Sequence, residues 1–200
     1  LEMGQTLTIP SSILEEEEGG FGHVTLENKG GTIQVAGEPV KMAAGGSLTL
    51  QATNISILSS VLIPGGSLSA TAYNYSPFLY AEQTATEELV GQPAPEVVEG
   101  TGIIRIGPGV ELNVAGTISD ERLTSAFAHN TRRAIDGGSV KLEGFSIFAG
   151  SETAIRASGG VAMNGRGKYT KGKGGSISLL AGKDPQIASV ACSGIFNQYS

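Results

Sequence analysis

The sequence predicts an all-β fold, a parallel β-helix (a solenoid of short stacked strands) with three loop insertions. Glycine supplies 30 of the 200 residues, about twice its usual share, which indicates many tight turns. A short motif that begins with a glycine pair recurs along the chain. Helical patterns are nearly absent, and the longest charge run, Glu15–Glu18, ends at a glycine pair and is typical of a solvated turn.

The repeated motif is a glycine pair, a hydroxyl residue, an apolar residue, a polar residue, and an apolar or small residue. Alternation with a period of two is typical of a strand with one buried face. The glycine pair suits a sharp corner, because glycine adopts backbone angles that other residues avoid. The copies begin at Gly30, Gly45, Gly65, Gly137 and Gly174.

Strands this short are not stable alone, so we expect the copies to pair with one another in register. Pairing would align their apolar residues in two internal columns beside an outward ladder of hydroxyl groups. The first column would hold Ile33, Leu48, Leu68, Val140 and Ile177; the second Val35, Leu50, Ala70, Leu142 and Leu179; and the ladder Thr32, Ser47, Ser67, Ser139 and Ser176.

Further strands fit between the glycine corners. The stretch from Gly46 to Gly65 has three short apolar segments in about 20 residues, which is typical of one β-helix coil. The alternative is a β-sandwich or a propeller, which also has many short strands. A sandwich would use hairpin dipeptides, and we assign the single one, Asn164-Gly165, to a loop. The further strands are predicted at His23–Glu27, Val40–Met42, Ile55–Leu58, Val61–Ile63, Ile103–Ile106, Val110–Val114, Phe145–Phe148 and Thr153–Arg156.

Three segments break the repeat spacing: residues 71–100, 120–136 and 164–173. We predict that they leave a single domain, residues 1–200, as loops. The first insertion carries the candidate ligand-binding residues, because aromatic rings stack on sugars and at protein interfaces. The alternative is a local patch that seals one side of the coils. The candidates are Tyr73, Tyr75, Phe78 and Tyr80.

Charge and composition exclude several function classes. The net charge is −6, so nucleic acid is a poor candidate partner. No apolar run approaches the length of a membrane span, and we expect no membrane insertion in this segment. The single cysteine, Cys192, allows neither an intrachain disulfide nor a cysteine metal site. His23 and His129 have no nucleophile motif beside them, so we predict no catalytic residue, metal or cofactor.

The enzymatic alternative is a polysaccharide lyase or hydrolase, because parallel β-helices host such activities. The second insertion contains carboxylates and arginines suited to that chemistry. The outward strand positions, however, are small hydroxyl residues without acid–base capacity, so we predict that the chain is not an enzyme. The residues concerned are Asp120, Glu121, Arg122, Arg132, Arg133 and Asp136.

The repeats, together with the sequences VAGTI at 114–118 and IRASGG at 155–160, resemble filamentous haemagglutinin-type repeats. Such repeats occur in bacterial two-partner-secretion exoproteins and related autotransporter-like surface proteins. The resemblance implies a right-handed parallel β-helix, export to the surface of a Gram-negative bacterium, and a shaft role in an adhesin. The resemblance does not assign a functional role to any residue of this sequence.

The chain starts at Leu1 without an initiator methionine, and we expect it to be a segment of a larger protein. Its expected partners are adjacent coils of the same chain and a glycan or protein on a host or neighbouring cell. A carbohydrate-binding module is the alternative function.

Overall fold

The computed structural model describes residues 6–10, 22–74, 98–120, 134–164, 167–182 and 184–185. Their regular structure is almost entirely β-strand, as predicted, and every described strand pair except β13–β14 is parallel. The strands are β1 (Thr6–Pro10), β2 (His23–Ala36), β3 (Val40–Lys41), β4 (Ser47–Ile57), β5 (Val61–Leu62), β6 (Ser67–Ala72), β7 (Ile103–Ile106), β8 (Glu111–Asn113), β9 (Ile118–Asp120), β10 (Ser139–Gly144), β11 (Ser146–Ala149), β12 (Ala154–Arg156), β13 (Val161–Met163), β14 (Tyr169–Lys171) and β15 (Ser176–Leu180).

The first ladder of strands contains the first half of β2, the first half of β4, and then β6, β10 and β15. We call the chain from one of these strands to the next a layer. Four members of the predicted hydroxyl ladder are confirmed as consecutive register partners: Ser47, Ser67, Ser139 and Ser176. Each of these serines donates its backbone N–H to a glycine carbonyl of the preceding layer, at 2.8–3.0 Å.

Two further ladders follow in the layers that begin with β2, β4, β6 and β10, and a separate three-stranded sheet holds β9, β13 and β14. The second contains β1, the second half of β2, the second half of β4, β7 and β11. The third runs through β3, β5, β8 and β12. The chain visits the first, second and third ladders in that order in the layers that begin with β4, β6 and β10.

The prediction for the motif copy at Gly30-Gly31 is wrong. These glycines lie inside β2, and Ile33 pairs with Ile55 in the second ladder rather than with Leu48 in the first. Val24 occupies the position beside Leu48. The same shift moves Thr32 out of the hydroxyl ladder and Val35 out of the second column.

A β-bulge explains the error. The register between β2 and β4 shifts between Asn28 and Thr32, so that three residues of β2 lie opposite Thr53 alone. The Thr53 hydroxyl donates to the carbonyl oxygen of Gly31 at 2.6 Å. A glycine pair suits such a bulge as well as it suits a corner, and the local sequence does not distinguish the two.

The second glycine of the other four copies is required by a close approach between layers. A Cβ atom on Gly46 would lie 2.6 Å from the carbonyl oxygen of Gly22. A Cβ atom on Gly66, Gly138 or Gly175 would lie closer still to the carbonyl of the glycine before it in the column. These carbonyls accept the serine N–H bonds of the first ladder.

The first glycine of each pair has a different role. Gly45 and Gly65 have φ of 76° and 64°, in the left-handed region that favours glycine, as the predicted corner requires. Gly137 and Gly174 do not have a left-handed φ. A left-handed backbone conformation therefore explains the first glycine in two of the four copies, those at Gly45 and Gly65.

The hydrophobic core lies between the three ladders. It takes Leu48 and Leu50 from the first, Ile55 and Ile57 from the second, and Leu112 from the third, all 0% exposed. The predicted inward positions of β4, β6 and β10 are confirmed as buried. Ile177 and Leu179 differ: they are 49% and 53% exposed, because no described strand covers β15 on its outer side.

The insertion boundaries also shift. Thr71 and Ala72 belong to β6, and Asp120 ends β9. The segment 164–173 contains β14, which pairs antiparallel with β13, so the loop assignment there is wrong in part. Asn164 closes that hairpin: its side-chain oxygen accepts the N–H of Lys168 at 2.9 Å. Residues 75–97, 121–133 and 165–166 lie outside the described residues.

Candidate functional site

Tyr73 is the one predicted ligand-binding residue that the structure describes. It follows β6, and its backbone N–H donates to the Ala52 carbonyl at 2.9 Å. Burial raises the pKa of its phenol, and the carboxylates of Glu27, Asp184 and Glu143 raise it further. The phenol is therefore neutral at physiological pH and available as a hydrogen-bonding group beside an acidic surface. The other candidates, Tyr75, Phe78 and Tyr80, lie outside the described residues.

Asn74 holds the base of the first insertion. It is 5% exposed, and its amide nitrogen donates to the carbonyls of Val98 at 3.0 Å and Thr101 at 3.2 Å. Its amide oxygen accepts the N–H of Val98 at 3.0 Å, and the Thr101 hydroxyl donates to its backbone carbonyl at 2.6 Å. The described residues on either side of segment 75–97 are therefore held together at one point, which we call the neck.

Asn54 fixes the chain as it returns to the second ladder. Its amide nitrogen donates to the Gly100 carbonyl at 2.9 Å, and its amide oxygen accepts the N–H of Ile103 at 3.1 Å. Neither asparagine was predicted from the sequence. The signal that could have found Asn74 is an asparagine directly before the first insertion, since Asn side chains bond readily to nearby backbone.

The outer face of the first ladder carries mostly small polar side chains, with two charged pairs, Lys29–Glu27 and Lys141–Glu143. His23 Nδ1 lies 2.8 Å from the hydroxyl oxygen of Ser47, at an exposed position. Further along the ladder, the Lys141 ammonium lies 2.8 Å from a carboxylate oxygen of Glu143. This face offers hydroxyl groups in register, which suits a hydrogen-bonding ligand rather than a strongly charged one.

The outer face of the second ladder carries an exposed aromatic and a cation. Thr8, Gln34, Ser56, Arg105 and Phe148 are consecutive register partners in that order. Arg105 Cζ lies 5.1 Å from the centre of the Phe148 ring, and the phenylalanine is 51% exposed. We call these five side chains the outer row. This row was not predicted from the sequence, although a lone arginine between isoleucines in β7 marks an outward position.

The outer face of the third ladder carries a compact polar network. Arg156 Nε lies 2.9 Å from Glu111 Oε1, and the same oxygen accepts from the Asn113 amide at 2.9 Å. The Asn113 amide oxygen in turn accepts the N–H of Ala115 at 3.0 Å. Glu111 thus joins two adjacent layers, because Arg156 belongs to β12 and Glu111 to β8.

The residues proposed for polysaccharide cleavage are mostly outside the described part of the chain. Of the acidic ones, Asp120 ends β9, and Asp136 Oδ1 accepts the backbone N–H of Lys173 at 2.7 Å. That bond gives Asp136 a structural role at the base of the hairpin. Glu121 and the three arginines of the second insertion, like His129 and Cys192, fall outside the described residues.

No group of three or more His, Cys, Asp or Glu side chains placed to hold a metal ion occurs among the described residues. None of the helical structure in the described ranges is long and apolar enough to cross a membrane. Comparison with protein-family models, curated proteins and solved structures gives no significant match to the chain.

Proposed function

We propose that the chain is a segment of a right-handed parallel β-helix and serves as structural shaft in a large secreted or surface-displayed bacterial adhesin. The observation that carries the proposal is the column of second glycines, in which each layer rests on a backbone carbonyl of the layer before it. Such contacts are made only between neighbouring layers, as in quasi-one-dimensional repeat proteins. Parallel in-register ladders also favour this architecture over a sandwich, whose sheets are antiparallel.

The adhesin role is supported by what the layers display. The neck joins Asn74 to Val98, the described residues on either side of segment 75–97. Binding segments are commonly presented in this way, on loops positioned by a rigid scaffold. The repeat motif, which resembles that of filamentous haemagglutinin-type proteins, supports location on the surface of a Gram-negative bacterium.

Two measurements test the proposal. Far-UV circular dichroism of the chain should show a β-sheet spectrum with almost no α-helix; a substantial helical signal would contradict the β-helix. Antibodies raised against the chain should label intact cells of the producing bacterium, and beads coated with the folded chain should adhere to target cells better than beads coated with heat-unfolded chain. Labelling only after permeabilisation, or equal adherence of both beads, would contradict the surface role.

The proposal gives the chain a structural and binding role with no catalytic one and no cofactor. Incubation with acidic and neutral polysaccharides should therefore release neither new reducing ends nor unsaturated products. Sustained release of either product by the purified chain would replace the shaft with the polysaccharide-cleaving alternative.

A further inference from the structure

We propose that the outer row on the second ladder binds an extended acidic oligosaccharide, a chain of sugars that carry carboxylates. The proposal does not depend on the shaft role, because it needs only the described residues of β2, β4, β7 and β11. Its central groups are Gln34, Ser56, Arg105 and Phe148, which are consecutive register partners.

These side chains all point away from the core. Ile104 and Ile106 on either side of Arg105 are 0% and 4% exposed, and Ile55 and Ile57 on either side of Ser56 are both 0% exposed. Because side chains alternate along a strand, Ser56 and Arg105 face the solvent. Neighbouring strands are about 4.8 Å apart, so the row from Gln34 to Phe148 is about 14 Å long. This length accommodates several linked sugars and exceeds one ring.

Arg105 is prepared to bind a carboxylate. Its Cζ lies 5.1 Å from the centre of the Phe148 ring, and a guanidinium in contact with an aromatic ring can still bind a carboxylate through its N–H donors. Among the described residues, no carboxylate lies within ion-pair distance of Arg105. Its fork of donors matches a carboxylate in a bidentate arrangement. Arg156 is different, because its Nε already lies 2.9 Å from Glu111.

The neighbours of Arg105 complete the complementarity to a sugar chain. Phe148, at 51% exposed, presents part of an apolar ring to solvent, and the C–H face of a pyranose packs on such a ring. Within the described part of the chain, the side chains of Ser56 and Gln34 have no hydrogen-bond partner, so both can bond to sugar hydroxyls. The row therefore offers an aromatic platform, a cation and two neutral polar groups in line. A uronate oligosaccharide has the matching groups, namely C–H ring faces, carboxylates and hydroxyls, spread over a similar length.

The test is calorimetric titration of the chain with a hexamer of galacturonic acid, and with its methyl ester as the neutral form of the same backbone. Arg105→Ala should weaken binding of the acid about tenfold or more, since a hydrogen-bonded charge pair is lost. Phe148→Ala should weaken it about threefold to tenfold. Arg105→Lys keeps the charge without the fork and should also lose affinity. All three substitutions lie at exposed positions, and thermal melts should confirm that each variant is folded.

Arg156→Ala is the matched control, because it removes the same charge from a different face. Its affinity should stay within about twofold of the parent, as expected for a change outside the site. Equal losses in Arg156→Ala and Arg105→Ala would reduce the binding to general charge attraction and overturn the site. Absence of binding to the acid, equal binding of the ester, or equal binding of a single uronate sugar would overturn the ligand assignment. None of these outcomes affects the surface-labelling test of the shaft role.

Discussion

Replacing Gly138 by alanine is expected to destabilise the stack of layers by about 3 kcal/mol. The added methyl would meet the oxygen, carbon and nitrogen of Gly66, all backbone atoms, at less than the 3.0 Å that real Cβ atoms keep. The two layers would have to part by roughly 1 Å, which takes the 2.9 Å bond from Ser139 N to Gly66 O out of range. An unsatisfied buried backbone group costs about 1–3 kcal/mol. Looser packing of Val140 on Leu68 adds about 1 kcal/mol.

Two other glycines provide controls for this change. Gly30→Ala adds the same methyl where nothing lies within 4 Å and φ is not left-handed, so stability should be unchanged or rise by about 0.5–1 kcal/mol. Gly45→Ala also has open space, but its φ of 76° is unfavourable for alanine. It should cost about 1–2 kcal/mol. The series separates the close approach of layers from backbone conformation.

Thermal unfolding followed by circular dichroism measures the series. A loss of about 3 kcal/mol should lower the melting temperature of a chain of this length by about 6–12 °C. Gly138→Ala should melt lowest, then Gly45→Ala, then the parent and Gly30→Ala. If Gly138→Ala melted with Gly45→Ala, corner conformation alone would account for the motif, and the argument from layer contact would be refuted.

Four further changes test other parts of the structure. Asn74→Ala should destabilise by about 1–3 kcal/mol, because it removes the side-chain partner of the Val98 N–H and of the Thr101 carbonyl; a melt unchanged from the parent would show that the neck is not structural. Leu142→Asp should prevent the surrounding layers from folding, because an unpaired buried carboxylate costs several kcal/mol. The control Ser69→Asp, on the outer face beside Lys141, should melt near the parent. Similar melting temperatures for the two variants would mean that the inward and outward positions of these strands are assigned wrongly. Leu179→Lys should reduce self-association at high concentration, since Leu179 is 53% exposed on β15, which pairs with β10 alone among the described strands; sedimentation independent of concentration in both proteins would contradict this. The pKa of Tyr73 is raised in the folded state, so the contribution of its neutral phenol to folding stability is fully present below the pKa of an unfolded tyrosine and is lost as pH rises through the folded pKa. Tyr73→Phe should therefore reduce the loss of stability at alkaline pH in pH-dependent melts. An identical alkaline profile in the variant would exclude the phenol as the source of that loss.

Short-period features of the fold could be predicted from the sequence. Alternation identified the strands of β4, β6 and β10 and their buried side chains, because a period of two is a local property. Four serines of the motif fall in register for the same reason: identical local patterns prefer to stack on one another.

Features that depend on contacts between layers could not be predicted. Val24 replaces Ile33 beside Leu48 because β2 bulges opposite Thr53, and only the pairing of two distant segments shows that bulge. The outer row likewise exists only through pairing, since Ser56 and Arg105 are 49 residues apart in sequence. The repeat motif indicates which of its own copies stack on one another, but no such repeat marks the strand partners of β7 and β11.

The glycine column gives a physical reason why this fold can carry insertions at little cost. Each layer is held to the next by a carbonyl under a glycine and by N–H bonds of about 3 Å, so cohesion lies in the ladders. A segment that leaves between β6 and β7 interrupts no ladder, provided that both its ends return to one point, and Asn74 supplies that point through Val98 and Thr101. Loop-closure entropy grows only slowly with length. We therefore expect that replacing residues 75–97 by a short flexible linker leaves the described layers in register, with a melting temperature close to that of the parent.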